Sequence, residues 1–190
     1  MRPQRSTLRL LLGFEQPGPG RGRVNHQSRH AAARGAVAAG LSHVLERRQL
    51  LPRPLPETFG FFKNPHNLGA LTPPWLHFRI ASVSDSEIRE GTRIEYRLRL
   101  HGVPLRWESV ISEYVENAAF ADRMVSGPYR RWHHRHEFRA VPGGTEMRDR
   151  VEYELPFGLL GRLGHFLVRR QLREIFDYRA VVIGRILEGR

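Results

Sequence analysis

Residues 127–138 read GPYRRWHHRHEF and hold three histidines, two Trp or Tyr rings and four arginines or glutamates. Three chemistries fit such a stretch. A basic run can grip phosphates, a histidine cluster can hold a metal, and a strand with one wet and one dry face can carry imidazoles into an apolar interior. Side chains alternate along a strand, so parity separates these readings. Trp132, His134, His136 and Phe138 share one face, and Arg131, His133, Arg135, Glu137 and Arg139 share the other. The following stretch splits likewise, with Met147, Asp149, Val151, Tyr153 and Leu155 against Glu146, Arg148, Arg150, Glu152 and Glu154.

The link between the two stretches is Val-Pro-Gly-Gly at 141–144. A tight turn centred on Pro142-Gly143 pairs Val141 with Gly144 and sets the register of the hairpin. Outward, Arg139 then faces Glu146, Glu137 faces Arg148, Arg135 faces Arg150, His133 faces Glu152 and Arg131 faces Glu154. Arginines opposed by glutamates are not free for phosphates, which argues against a nucleic-acid stripe. Inward, His136 falls opposite Asp149, and Trp132 opposite Tyr153.

This pairing predicts an imidazole–carboxylate dyad on an inner surface. The same parity adds Tyr96, Trp107 and Asp122 from neighbouring segments. The expected ligand-binding set is Tyr96, Trp107, Asp122, Trp132, His134, His136, Asp149 and Tyr153, a few polar groups in an aromatic and aliphatic lining. As a binding module, the chain needs only that cavity. As an enzyme, it would use His136 as a general base oriented by Asp149, taking a proton alpha to a carbonyl, while Tyr96 or Tyr153 donates to the enolate oxygen. As a metal site, His134, His136 and Asp149 would form a two-His-one-carboxylate face. No sign of an open coordination position accompanies that set, so no metal and no cofactor is expected. The bland alternative is that the dyad is a structural hydrogen bond and the rings are packing.

The elements that must position these residues follow from periodicity. The chain has 190 residues, no cysteine and a net charge of +12. Absent cysteine excludes disulfides, zinc ribbons and thiol catalysis, and fits a reducing, cytoplasmic setting. Lys63 is the one lysine among 31 cations, so the basic charge is almost wholly arginine. Residues 1–40 carry seven arginines against Glu15 alone, with Gly/Pro punctuation and few large apolar residues. They read as an unfolded basic extension, and residues 41–190 as one folded domain.

Residues 42–51 suit a strand. Pro56 can open a short helix through Phe62, and Asn64-Pro65 a second short helix to about Leu71. Six segments of period two follow, at 76–83, 92–100, 105–115, 119–125, 130–141 and 145–155, joined by short Gly, Pro, Asn or Asp links. From Phe157 the period changes. Leu160, Leu163, Leu167, Leu172, Ile175, Phe176, Val182, Ile183 and Ile186 fit one face of a long helix, with Arg162, Arg169, Arg170 and Arg173 off that face and available to anionic lipid headgroups. The expected class is α+β: about seven antiparallel strands wrapped around a long C-terminal helix, which is the one element able to cover the apolar face.

Four stretches, NPHNLGALTPPWLHFRI, GTRIEYRLRLHGVPLRWESVI, FADRMVSGPYRRWHHRHEF and GGTEMRDRVEYELPFGLLG, resemble the START-like, or SRPBCC, superfamily. Within it they are most similar to bacterial ligand-binding proteins labelled cyclase/dehydrase, over about residues 43–180. The resemblance implies a helix-grip fold with a hydrophobic cavity. It also implies a small hydrophobic ligand of lipid, polyketide, isoprenoid quinone or hormone type, and in some members cyclisation or dehydration. No obligate protein partner is implied.

Overall fold

The structure is a computed structural model that describes residues 42–156 and 158–189. The extension expected over residues 1–40, and the side chains of 158–163 with their Leu160, Arg162 and Leu163, lie outside the described residues. In chain order the elements are β1 (His43–Leu51), α1 (Leu55–Lys63), β2 (Arg79–Val83), β3 (Arg93–Leu100), β4 (Val103–Val115), β5 (Ala119–Ser126), β6 (Arg131–Val141), β7 (Gly144–Glu154) and α2 (Gly158–Glu188). All seven strands form one antiparallel sheet in the order β1-β7-β6-β5-β4-β3-β2.

The segment between α1 and β2 differs from the periodicity reading. The second helix is a single 3₁₀ turn, Pro65–Leu68, in which Asn64 Oδ1 accepts from the His66 N–H at 3.0 Å. A further 3₁₀ turn, Pro74–Leu76, occupies the start of the expected strand. Adjacent Pro73 and Pro74 have no N–H to give a ladder. His77 then takes a left-handed φ of 46°, and the strand begins only at Arg79.

The tight links behave as their residues dictate. His101 and Gly102, between β3 and β4, both have positive φ, as a two-residue hairpin with right-handed strand twist requires. Pro142-Gly143 joins β6 to β7, with Val141 paired to Gly144 and His136 to Asp149. Every outward pair expected from the turn is present in that register. The like pair Arg135–Arg150 is relieved by neighbours: Arg135 meets Glu137 and Glu113, and Arg150 meets Glu152 and Glu46. His133 lies 3.6 Å from Glu113, on the far side from its ladder partner Glu152.

Two apolar clusters fill the inner side. Phe59 and Phe62 of α1 pack against Phe120 and Phe138 of the sheet, with ring centroids 5.2–6.2 Å apart. Phe59 is fully buried, and such a ring contributes about 2 kcal/mol. The second cluster joins Leu45, Val151 and Tyr153 of β1 and β7 to Leu172 and Phe176 of α2. The buried stripe of α2 runs Leu172, Phe176, Ile183 and Leu187. Leu167, expected inward, is 66% exposed, because the stripe drifts off that position one turn before Leu172. Among the described residues no helix is long and apolar enough to cross a membrane, which leaves strand-built spans unaddressed.

Candidate functional site

The helix sits directly on β1 and β7, as the second cluster records, touches β6 where Phe176 meets the His134 ring at 5.3 Å, and leaves a gap over β3, β4 and β5. The gap is a cavity of about 210 Å³, closed along one side by the two 3₁₀ turns. Tyr96, Trp107, Asp122, Trp132, His134 and His136 stand on its wall. Asp149 and Tyr153 do not, although parity placed both on the inner face. β7 lies under the helix, outside the gap. Tyr153 is 2% exposed within the second cluster, and its hydroxyl meets His165 Nε2 at 3.2 Å. Asp149 is buried behind the imidazoles.

A line of polar contacts crosses four strands at this point. The Trp107 indole N–H donates to Ser109 Oγ at 3.0 Å, and the Ser109 hydroxyl donates to Asp122 Oδ1 at 3.2 Å. Asp122 Oδ2 lies 3.7 Å from His134 Nδ1, across the β5–β6 ladder pair. On its other edge His134 Nε2 is 3.0 Å from Asp149 Oδ1, where its N–H donates to the carboxylate. His136 Nδ1 comes within 2.6 Å of the same oxygen, but its N–H direction misses it, so this contact is an electrostatic one. The expected dyad is thus a triad in which one carboxylate oxygen serves two imidazoles, His136 from directly across the ladder and His134 from the diagonal position.

Burial sets the charge states. Desolvation is the largest influence on His134 and lowers it to about 4, with His136 adding to the depression. Desolvation also lowers His136, and the nearby Asp149 only partly restores it. Burial works against the charge of Asp149 too, but the imidazoles of His136 and His134 more than offset it and hold that carboxyl well below the usual range. Asp122 goes the other way, raised chiefly by desolvation. Near neutrality the cluster is therefore one buried carboxylate served by two neutral imidazoles.

Asp122, His134 and His136 each offer one donor atom within 4.8 Å of the others, and these are the residues that could hold a metal ion. Asp122 stands where Asp149 was expected, because both imidazoles already occupy Asp149 Oδ1.

Arg179 is the charged wall residue that the sequence reading passed over. It continues the buried stripe of α2, three residues after Phe176 and four before Ile183, so helical spacing alone points it inward. Counting only apolar residues on that stripe hid it. The aromatic part of the wall is continuous: Tyr96 stacks on Trp107 at 5.7 Å, and Trp107 meets Trp132 edge-on at 5.1 Å.

No protein-family model matches the chain, and no curated protein matches it. Solved structures do. TTHA0849 from Thermus thermophilus superposes with a TM-score of 0.60 at 17% identity, over 77% of this chain and 98% of that one. Ara h 8.0201 gives 0.52 at 17% identity, over 75% and 97%. The di-domain ARO/CYC StfQ from the steffimycin biosynthetic pathway gives 0.61 at 10% identity, over 78% of this chain and 51% of that one. With seven antiparallel strands around one C-terminal helix, and with these neighbours, the chain has the helix-grip fold expected from its sequence.

Proposed function

We propose that this protein binds an apolar small molecule, of lipid, isoprenoid or polyketide type, between the sheet and α2, as a carrier or sensor. The observation that carries the reading is the cavity itself: a mostly aromatic and aliphatic wall with its polar groups gathered at one place. The absence of cysteine suits a reducing, cytoplasmic setting. Exposed Arg169, Arg170 and Arg173, next to exposed Phe166 and Leu167 on α2, support brief contact with an anionic membrane surface during ligand exchange.

One observation favours a second reading, a cyclase or dehydratase. Asp149 holds two neutral imidazoles from behind while both rings face the cavity. His136 would take a proton alpha to a carbonyl, Asp149 would stabilise the resulting imidazolium, and Tyr96, whose hydroxyl burial keeps un-ionised, would donate to the enolate oxygen. Likeness to an ARO/CYC protein is in keeping with this chemistry. Tyr153 has no part in it, since its hydroxyl is turned to His165.

Native mass spectrometry of the protein purified from its own host tests both readings. The expected result is one small apolar molecule retained per chain and recovered on organic extraction. A uniformly empty protein would overturn the binding reading. A molecule that is recovered altered after incubation with the protein, and unaltered with His136→Gln, would establish the enzyme.

A further inference from the structure

Among the described residues, Arg179 is a charged group on the cavity wall with no ion-pair or hydrogen-bond partner. Among the described residues, the other arginines that are not exposed, at 47, 53, 135, 148 and 150, all meet a carboxylate or a carbonyl. Arg179 has no ion pair and no hydrogen bond among the described residues, and its Nε is buried unpaired. Its guanidinium lies 6.0 Å from the centre of the Phe62 ring, a contact that tolerates the charge without using its donors. Arg179 is half-buried, and an Nε that has lost water without gaining an acceptor is costly to keep.

We infer that Arg179 receives a carboxylate on the cavity ligand, which is therefore an amphipathic organic acid with an apolar body along the aromatic wall and its anionic end at α2. This rests on the cavity-binding reading and adds the class of ligand. A guanidinium offers a planar fork that matches two carboxylate oxygens. Its field reaches Tyr96, Asp122 and His136, so it stands at the polar end of the cavity. Among the described residues Asp122 is the one carboxylate on the same wall; it feels the Arg179 charge but forms no ion pair with it, accepting instead from Ser109 and facing His134. The Tyr96 hydroxyl supplies a further donor on the wall.

The test measures binding of two acids, decanoate and 1-naphthylacetate, and of their methyl esters, by calorimetry at pH 8. Wild type should bind at least one acid about ten- to hundredfold more tightly than its ester, the range for hydrogen bonds to a charged group. In Arg179→Met, which keeps the length and apolar stem, that preference should vanish while the ester still binds. Arg179→Met should also unfold no earlier than wild type, since it removes an unpaired charge. Arg179→Lys should recover only part of the preference, because the fork is lost. Equal binding of acid and ester to wild type would overturn the carboxylate assignment and leave the cavity reading standing. Failure of all four compounds to bind would overturn both.

Discussion

Asp149 gives one oxygen to two imidazoles and presents nothing to the cavity. Its consequences are testable at the level of the single side chain. His134 is lowered to about 4 in the fold against an ordinary 6.5, so the unfolded chain takes up the proton first. The stability contributed by its neutral ring is full above pH 6.5 and is lost as pH falls from there towards 4. His136 shifts in the same direction. Asp122, raised, acts oppositely as pH falls through its value, and Asp149, depressed, contributes stability that is lost only below the ordinary 3.8. Wild type should therefore lose about 2 kcal/mol between pH 7 and pH 5 from His134 alone, read as a fall in the urea midpoint. His134→Gln should flatten that slope. Asp149→Asn should cost about 1–3 kcal/mol at pH 7 through the charged hydrogen bond with His134. Unchanged ligand affinity would then mark Asp149 as a positioning residue, whereas a fall in turnover larger than the fall in stability would mark the enzyme. Parity made the facing of His136 and Asp149 legible. It could not show depth along the strand, which is why Asp149 was expected on the wall and lies behind it.

At the scale of elements, the β6–β7 hairpin was readable because its turn chemistry and its charge alternation agree. What the turn's sequence does not disclose is its contact with β1. Gly144 has a φ of 144°, and a Cβ there would stand 2.0 Å from the Leu51 carbonyl oxygen. Gly143 has a φ of 88° and open space around it. Gly143→Ala should cost only the left-handed backbone penalty, about 1–2 kcal/mol. Gly144→Ala should cost more, about 3 kcal/mol or above, since either β1 or the hairpin must move. Thermal unfolding of the pair checks the order, and equal losses would mean that β1 does not brace the turn. The helix carries the opposite lesson. Its period was evident, but a stripe defined by apolar residues excluded Arg179, the residue whose chemistry breaks the pattern. The second short helix starts where Asn64-Pro65 placed it but ends after one 3₁₀ turn, because an Asn-Pro pair marks where a helix can start and not how long it lasts.

For the whole molecule, a charge of +12 suggests a polyanion partner until it is divided. About half of it lies in residues 1–40, and in the described sheet the outward arginines of β6 and β7 are met by glutamates. All seven described strands lie after residue 42. β1 starts at His43, pairs with Tyr153 at once, and ends against the β6–β7 turn. The described members of both apolar clusters run from residue 45 to residue 187. Removing residues 1–40 takes away about six positive charges and leaves every described member of both clusters in place. The truncated chain should unfold within about 2 °C of the full chain, a difference below roughly 1 kcal/mol at this size. Its retention on a sulfated polyanion column should weaken, because about half of the net positive charge is gone. A drop of ten degrees or more would mean that the extension packs on the domain, and the division at residue 40 would have to be abandoned.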